Sequence, residues 1–384
     1  MDFRFSEEQE ALRESVLKFA RERLLPDYMR REKEGRFDRA LVREMGALGM
    51  VTPNLPEDLG GMGADAVTCG LITEAIATGD FNLSYLPLLG ALLGGLLARH
   101  GQPRVVGKWV PRIARGEALI ALGLTEPGVG SDAARLKLKV RRDGNGYVLN
   151  GEKTSISAAD QADIAIVFGR TGREEAGAKG ISAFLVELDR EGVTRTRFED
   201  VGSAIVGRGS LFFDDVRVEG DALLGEENAG FSQIMRGFDF SRALIGLQCL
   251  GATRASLDET WAYVQEREAF GAPLAKFEGV TFPLAEAEAL FEACRLLCYK
   301  TLWLCDQGLP HTAEAAMCKW WAPKLSFDIL HQCLLLHGHY GYSKETAHQQ
   351  RLRDVLGLEI GDGTAQIQKI IIARERIGRI AVPY

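Results

Sequence analysis

The sequence lacks the long apolar runs and the basic leader that mark membrane-spanning and secreted proteins. Its most apolar stretch, residues 86–98, spans about 13 residues, which is too few to cross a bilayer as a helix. The N-terminal sequence contains neither a basic segment nor an apolar core, so we expect no secretory signal. These absences predict a cytoplasmic protein that does not associate with membranes.

Basic tracts are also missing, and the overall charge is acidic. The formal net charge is −7, from 46 Lys and Arg residues against 53 Asp and Glu residues. An acidic chain repels phosphate backbones, so we do not expect a nucleic-acid partner. The chain is 46% hydrophobic and 26% charged, as in ordinary folded domains, and its 384 residues predict two or three packed regions.

Motifs for metals and disulfides are absent as well. The seven cysteines form no CxxC pair, and no HExxH sequence or Walker loop is present. Cys294 and Cys298 lie one helical turn apart on an apolar stripe, so we expect buried, reduced thiols. His337 and His339 have no nearby carboxylate or cysteine to complete a metal site, which favours a structural or cofactor-loop role. We therefore predict no metal site.

Residues 128–133 imitate the GxGxxA fingerprint of a dinucleotide-binding fold, but their context contradicts that interpretation. Pro127 precedes the glycines at the point where a strand should end. Apolar and charged residues alternate over 137–141, where a helix should follow. The sequence therefore does not predict a Rossmann site.

Hydrophobic periodicity predicts an α+β fold, mainly α, with three domains. Residues 1–118 are typical of an N-terminal helical domain, which opens with a capping-box pattern at Ser6 and Gln9. Residues 119–228 contain short alternating strands with no crossover helices between them, which favours a middle antiparallel β-barrel-like domain. Residues 229–384 return to helical spacing and predict a C-terminal helical bundle.

Three segments, in matching order and spacing, resemble the acyl-CoA dehydrogenase family over nearly the whole chain. They are LTEPGVGSD at 124–132 with LNGEK at 149–153, REAFGAPL at 267–274, and HGHYGY at 337–342 with RLRD at 351–354 and DGTAQI at 362–367. The resemblance implies the acyl-CoA dehydrogenase fold and a flavin enzyme that oxidises the Cα–Cβ bond of an acyl-CoA thioester. It also implies FAD as the cofactor and an electron-transferring flavoprotein as the electron acceptor.

The resemblance assigns cofactor contacts to residues in all three segments. Thr125 and Ser157 would hydrogen-bond the flavin ring, and Ser131 would lie near the phosphates of the bound nucleotide parts. Arg267 and Phe270 match residues that reach the FAD of a neighbouring subunit, which implies a homo-oligomer, usually a tetramer. Further cofactor-loop positions are Gly338, Thr364 and Gln366.

The resemblance also assigns the catalytic base to Asp362, where many family members carry Glu. Asp is one methylene shorter, which removes roughly 1.5 Å of reach. The family's other position for a base is Ser241 here, which is not a carboxylate. The alternative is that Asp362 only caps a helix that starts near Thr364. The matching substrate contacts are Ser131, Asp239, Arg242, Gly361 and Gly363.

At two positions near the expected flavin and acyl group, this chain has small residues where family members carry aromatic ones. Gly361 stands where they carry Tyr and Ser155 where they carry Trp, which enlarges the space around the acyl chain. We therefore hypothesise a cyclic acyl group such as cyclohexane-1-carboxyl-CoA, and residues 337–343 and 360–367 look like those of cyclohexanecarboxyl-CoA dehydrogenases. The alternatives are a short- or branched-chain acyl-CoA dehydrogenase, an enoyl-CoA reductase and, from another class, a non-catalytic flavin-binding relative.

Overall fold

The N-terminal region of the computed structural model, which describes residues 4–382, is helical. Its helices are α1 (Glu7–Phe19), α2 (Tyr28–Glu34), α3 (Arg39–Ala47), α4 (Ala66–Gly79), α5 (Tyr85–Leu89), α6 (Gly95–His100) and α7 (Pro103–Ala114). The Ser6 hydroxyl accepts from the Gln9 backbone N–H and the Gln9 side chain accepts from the Ser6 N–H, so the predicted capping box opens α1. Residues 1–3, at the start of the N-terminal sequence in which no secretory signal is expected, lie outside the described residues.

The middle region is a mixed, seven-stranded sheet. Its strands are β1 (Ile120–Gly123), β2 (Lys139–Asp143), β3 (Gly146–Ser157), β4 (Ile164–Arg170), β5 (Ile181–Glu187), β6 (Val193–Arg195) and β7 (Arg208–Glu219). Their order is β1-β4-β2-β3-β7-β6, and β5 pairs with β4. A two-residue turn at Gly144 and Asn145 joins β2 to β3, as the glycine-rich sequence predicts. Register shifts bend β3 between Leu149 and Gly151 and again between Lys153 and Ile156.

The C-terminal region is a bundle of long helices. It consists of α8 (Gly230–Glu266), the short hairpin β8 (Glu268–Ala269) and β9 (Ala272–Pro273), α9 (Glu278–Asp306), α10 (Thr312–Leu336), α11 (Gly338–Tyr342), α12 (His348–Ile360) and α13 (Ala365–Ile377). The central helix α8 packs against α4 of the first region and against α9 and α10. No helix within residues 4–382 is both long and apolar enough to cross a membrane.

The predicted fold class is confirmed, with one difference inside the sheet. Most strand pairs are antiparallel, but β1 pairs with β4 in parallel over Ile120–Gly123, and β2 meets β4 in parallel at one residue pair. The parallel pairing needs no crossover helix, because the hairpin of β2 and β3 makes the connection between β1 and β4. The domain limits at residues 118 and 228 stay predictions.

Asp354 on α12 ties all three regions together. Its carboxyl group accepts hydrogen bonds from the Tyr28 hydroxyl at 2.6 Å, from the Asn82 amide at 2.8 Å and from the Ser203 backbone N–H at 2.6 Å. Tyr28 and Asn82 belong to the N-terminal region, and Ser203 lies in the segment before β7 of the middle region. Burial of the group raises its pKa to about 7, while the bonds from Tyr28 and Ser203 oppose that rise.

Candidate active site

The candidate base lies in the turn between α12 and α13. Asp362 adopts a left-handed backbone conformation with φ = 53°, and Gly363 follows with φ = 92°. Thr364 is the N-cap of α13, because its hydroxyl accepts from the Ile367 backbone N–H at 3.4 Å. The alternative interpretation, in which Asp362 only caps this helix, is therefore wrong.

The surroundings of Asp362 perturb its charge. Its side chain is exposed, yet protein on several sides displaces bulk water, and this desolvation raises the pKa of the carboxyl group. The cations Lys319 on α10 and Arg242 on α8 oppose that rise. Burial and the charge of Asp362 together raise the pKa of the Tyr85 hydroxyl on α5. An accessible carboxylate with a raised pKa, facing residues from separate elements, is suited to proton transfer.

Arg242 and Asp239 lie on one face of α8 and form an ion pair at 3.0 Å. Asp239 also accepts from the Thr312 hydroxyl at 2.6 Å, which fixes its second oxygen. The Arg242 side chain is buried, and its Nε has no hydrogen-bond partner within residues 4–382. An orphaned guanidinium donor beside Asp362 is available to a polar ligand, as the predicted substrate contact requires.

A buried ion pair fixes the segment that carries Thr125. The Glu126 carboxylate accepts from the backbone N–H groups of Lys137 and Leu138 and from Lys153 Nζ at 2.7 Å. Lys153 also donates to the Leu124 carbonyl at 3.0 Å, and burial lowers its pKa to about 8. The Thr125 carbonyl accepts from the backbone of β3, so this segment is held against the strand.

The predicted flavin-side residues lie along this segment and the distorted end of β3. Gly128 has φ = 77°, and a Cβ atom at Gly128 or Gly130 would meet no atom within 4 Å, so the turn next to Ser131 presents open backbone. Ser155 adopts φ = 57° in the second irregularity of β3 and is exposed, and Ser157 follows in register with β7. A glycine-rich turn with room for close approach, and hydroxyls on adjacent segments, suit an anionic ligand.

The hairpin after α8 stands apart from Asp362. Phe270 and Gly271 form its turn, both with positive φ, and Phe270 is 98% exposed. Arg267 is also exposed, and it follows Arg242 by about 25 residues, which is about 37 Å along a helix. Because of this distance, Arg267 and Phe270 cannot contact a ligand held at Asp362 of the same chain unless that ligand is very long.

The remaining predicted residues lie at the ends of the last helices. Gly338 begins α11 with φ = 59°, Gln366 is exposed in the first turn of α13, and Thr364 caps that helix. A Cβ atom at Gly361 would meet only the Gly357 carbonyl, at 3.5 Å, so the turn leaves room at this position. Glycine is favoured at Gly363 because its φ of 92° strains any other residue, and a Cβ atom there would also displace Gln368 Nε2, which would lie 2.5 Å away.

The two histidines of the third segment differ in their surroundings, since His337 packs against other rings and His339 is exposed. His337 is buried, and its ring centroid lies 4.2 Å from that of Tyr263 and 4.1 Å from that of His348. Within residues 4–382, no group of three or more His, Cys, Asp or Glu side chains could hold a metal ion. The cysteines are free thiols, and only Cys305 among them is partly exposed.

Sequence reasoning missed two residues that interact with Asp362, namely Lys319 and Tyr85. Lys319 is 1% exposed, and its ammonium group donates to the carbonyls of Leu358 and Gly363. The available signal was a single lysine inside the apolar helical stretch of residues 315–322. Tyr85 gave no comparable signal, because it lies in a continuous apolar run.

Comparisons with known proteins identify the family of the chain. The chain matches the acyl-CoA dehydrogenase N-terminal domain over residues 6–117, the middle domain over 121–216 and the C-terminal domain over 228–377. It is 36% identical to the mitochondrial short-chain specific acyl-CoA dehydrogenase of Bos taurus, over 96% of this chain and 89% of that protein. It is 34% identical to the 3-(aryl)acrylate reductase of Clostridium sporogenes, over 96% and 98% of the two chains.

Solved structures show the same family likeness over the whole fold. The butyryl-CoA dehydrogenase of Megasphaera elsdenii superimposes with a TM-score of 0.94 at 30% identity, covering 98% of this chain and 100% of that one. The chain therefore belongs to the acyl-CoA dehydrogenase family. This membership confirms the predicted enzyme class, a flavin-dependent oxidoreductase, and FAD as its cofactor.

Proposed function

We propose that the chain removes a proton from Cα of an acyl-CoA thioester through Asp362 and forms the Cα–Cβ double bond. The observation that carries the proposal is the exposed Asp362 carboxylate, held in a left-handed turn beside the buried Arg242. Bound FAD would accept the hydride from Cβ, so that one proton and one hydride leave the substrate together. The enoyl thioester is the product.

Residues of this chain have the chemistry to hold both molecules. The hydroxyls of Thr125, Ser131 and Ser157 and the open backbone at Gly128 would contact the flavin and its phosphates. Arg242, with its orphaned Nε, and Asp239 would contact the CoA portion, and the backbone beside Gly361 and Gly363 would face the thioester. Thr364, Gln366 and Gly338 complete the proposed cofactor contacts.

The assembly proposed here is a homotetramer, in which Arg267 and Phe270 reach the cofactor of a neighbouring subunit. Phe270 at the hairpin tip remains 98% exposed although its ring lies edge-on to Phe277 at 6.2 Å, and an exposed apolar side chain of this size is typical of an interaction surface. Large apolar side chains are also exposed along α9, namely Phe282, Leu290, Leu296 and Trp303. Light scattering should give a mass of four chains, and Phe270→Ser should lower both the mass and the FAD content.

The finer substrate proposal is a cyclic acyl group, with cyclohexane-1-carboxyl-CoA as the example. It is supported by the open space at Gly361 and by the small Ser155. Two relatives have aromatic acyl groups in their names, the 3-(aryl)acrylate reductase and a caffeyl-CoA reductase subunit of Acetobacterium woodii, but there the ring is attached to Cβ and does not contain the reacting bond. The short-chain dehydrogenases among the relatives support the competing candidate, a small linear acyl group.

An electron-transferring flavoprotein is the proposed acceptor. A solved structure described as the electron transferring flavoprotein of Acidaminococcus fermentans contains a chain that superimposes with a TM-score of 0.94 at 30% identity. The relative from Acetobacterium woodii is a subunit of a reductase–Etf complex. Those reductase names also favour a second candidate function, the reduction of an enoyl-CoA by the same site working in reverse.

The deciding experiment mixes the FAD-loaded enzyme anaerobically with cyclohexanecarboxyl-, butyryl-, isobutyryl- and octanoyl-CoA. Bleaching of the oxidised flavin band reports dehydrogenation, and the fastest ester identifies the acyl class. Preference for a linear ester would contradict the cyclic proposal. A non-catalytic flavoprotein would be favoured if no ester bleached the flavin band and no enoyl-CoA reoxidised the reduced enzyme.

Asp362→Ala tests the base directly. The variant should retain FAD and lose bleaching by roughly four orders of magnitude, the upper range for a general base. Glu359→Gln is the matched control, because it removes the other carboxylate near this turn and should leave bleaching intact. A fully active Asp362→Ala variant would place the base elsewhere.

A further inference from the structure

The turn that carries Asp362 rests on a buried lysine. Lys319 lies on α10 with 1% of its surface exposed, and its Nζ donates to the Leu358 carbonyl at 2.6 Å and to the Gly363 carbonyl at 3.3 Å. Leu358 lies in the last turn of α12, where helix carbonyls lack partners within the helix. The ammonium group therefore links the end of α12 to the residue that follows Asp362.

A second donor supports the same turn. Gln368 on α13 donates through Nε2 to the Gly363 carbonyl at 3.1 Å and to the Asp362 carbonyl at 3.3 Å. A non-glycine residue in the left-handed region persists only where its surroundings determine it. Lys319 and Gln368 are the surroundings that do so here, because they hold the carbonyls on which the turn depends.

Lys319 also acts through its charge, which Gln368 lacks. Burial lowers the pKa of Lys319 to about 8, with Asp362 opposing that effect, so the group remains mostly protonated at neutral pH. The same cation lowers the pKa of Asp362 against desolvation. The other charged or titratable groups that act on this pair are Arg242 and Cys249 of α8, Glu359 of α12 and Tyr85 of α5.

We infer that Lys319 is a positioning residue for the reaction, which fixes the left-handed turn at Asp362 and keeps the carboxylate ionised for proton abstraction. The inference rests on the proposed role of Asp362 as the base. Lys319 touches neither substrate nor cofactor in this scheme. Its two effects separate experimentally, because a neutral hydrogen-bond donor can replace the first but not the second.

The test is the pH dependence of anaerobic flavin reduction by butyryl-CoA, with the FAD-loaded enzyme. Lys319→Gln keeps a donor and removes the charge, so the acidic limb of the rate profile should move to higher pH. The rate at about pH 6 should fall roughly tenfold, and the wild-type rate should return at alkaline pH. Lys319→Met removes both functions and should be slower at every pH.

Two controls distinguish the charge from general damage to the fold. Lys324→Gln removes an exposed lysine of the same helix, which pairs only with Asp328 among the residues shown to contact it, and should leave the profile unchanged. Gln368→Leu removes the neutral donor and should lower the rate without moving the acidic limb. FAD content and the thermal midpoint are measured for each variant.

An acidic limb that stays at the wild-type position in Lys319→Gln, with normal FAD content, would overturn the inference. If that variant does not hold FAD, Lys319→Arg decides: a limb at the wild-type position supports the role of the cation, and a displaced limb contradicts it. Asp362→Ala is run in parallel. Should it remain active, the proposed function fails; should it be inactive while the Lys319 variants behave as wild type, only this inference fails.

Discussion

Replacing Asp354 with alanine should destabilise the protein by about 3 kcal/mol. The carboxyl group is fully buried and accepts from Tyr28, Asn82 and the Ser203 backbone at 2.6–2.8 Å. Each buried donor left without an acceptor costs on the order of 1 kcal/mol. Asp354→Asn keeps one acceptor oxygen and the shape of the group, so it should cost less than the alanine variant.

The same residue makes stability depend on pH with a defined sign. Burial raises the pKa of Asp354 in the folded protein to about 7, above its reference value of 3.8. Between these values the folded state holds a proton that the unfolded state has released, so stability falls as pH rises towards 7. The slope from this one group is at most about 1.4 kcal/mol per pH unit, and Asp354→Asn should abolish it.

Urea unfolding of the FAD-loaded protein, followed by tryptophan fluorescence at about pH 5 and about pH 7.5, measures both effects. Asp328→Ala is the control, because its carboxylate lies on the surface of α10 and pairs with Lys324 alone among the contacts shown. That variant should change the free energy of unfolding by less than about 0.5 kcal/mol. An Asp354→Ala variant within about 1 kcal/mol of wild type, or an Asp354→Asn variant with an unchanged pH slope, would refute the reasoning.

Three further variants test the site. Lys153→Met leaves the buried Glu126 carboxylate without its cation and should cost about 3 kcal/mol or more in urea unfolding; a cost below about 1 kcal/mol would contradict the importance of the pair. Thr364→Ala removes the cap of α13 and should lower stability by about 1 kcal/mol, which Thr364→Ser should restore. Gly363→Ala places a Cβ atom 2.5 Å from Gln368 Nε2 in a left-handed residue and should slow flavin reduction roughly tenfold or more while FAD stays bound; an unchanged rate would show that the turn tolerates movement.

The sequence contained enough local signal to predict most of the fold. The Ser6 capping box, the turn at Gly144 and Asn145 and the long helical stripes all depend on neighbours within a few residues. The parallel pairing of β1 with β4 could not be predicted in this way, because it joins residues about 44 positions apart and leaves no periodic trace in either strand.

The residues of the candidate site likewise include some that the sequence could identify and some that it could not. Asp362 and Arg242 were identified through a family resemblance, whereas Lys319 and Tyr85 come from helices distant in the sequence and approach Asp362 only in the folded chain. Burial changes what such residues do. A lysine that would be a solvated charge on a surface helix becomes a fixed donor here, because it bonds the carbonyls of Leu358 and Gly363, and its burial lowers its pKa.

The left-handed backbone at Asp362 makes the position of its carboxylate depend on the hydrogen-bond donors that hold this turn, Lys319 and Gln368. Aspartate has one side-chain torsion fewer than glutamate, so less side-chain movement can compensate for a displaced backbone. Glycine stands on both sides, at Gly361 and Gly363, and neither contributes a side chain that would restrain the turn. The position of the carboxylate therefore follows the position of the Gly363 carbonyl, which Lys319 and Gln368 hold. A side chain as short as that of Asp362, placed between two glycines, depends on these hydrogen bonds for its position, whereas a longer glutamate side chain could partly compensate by rotating.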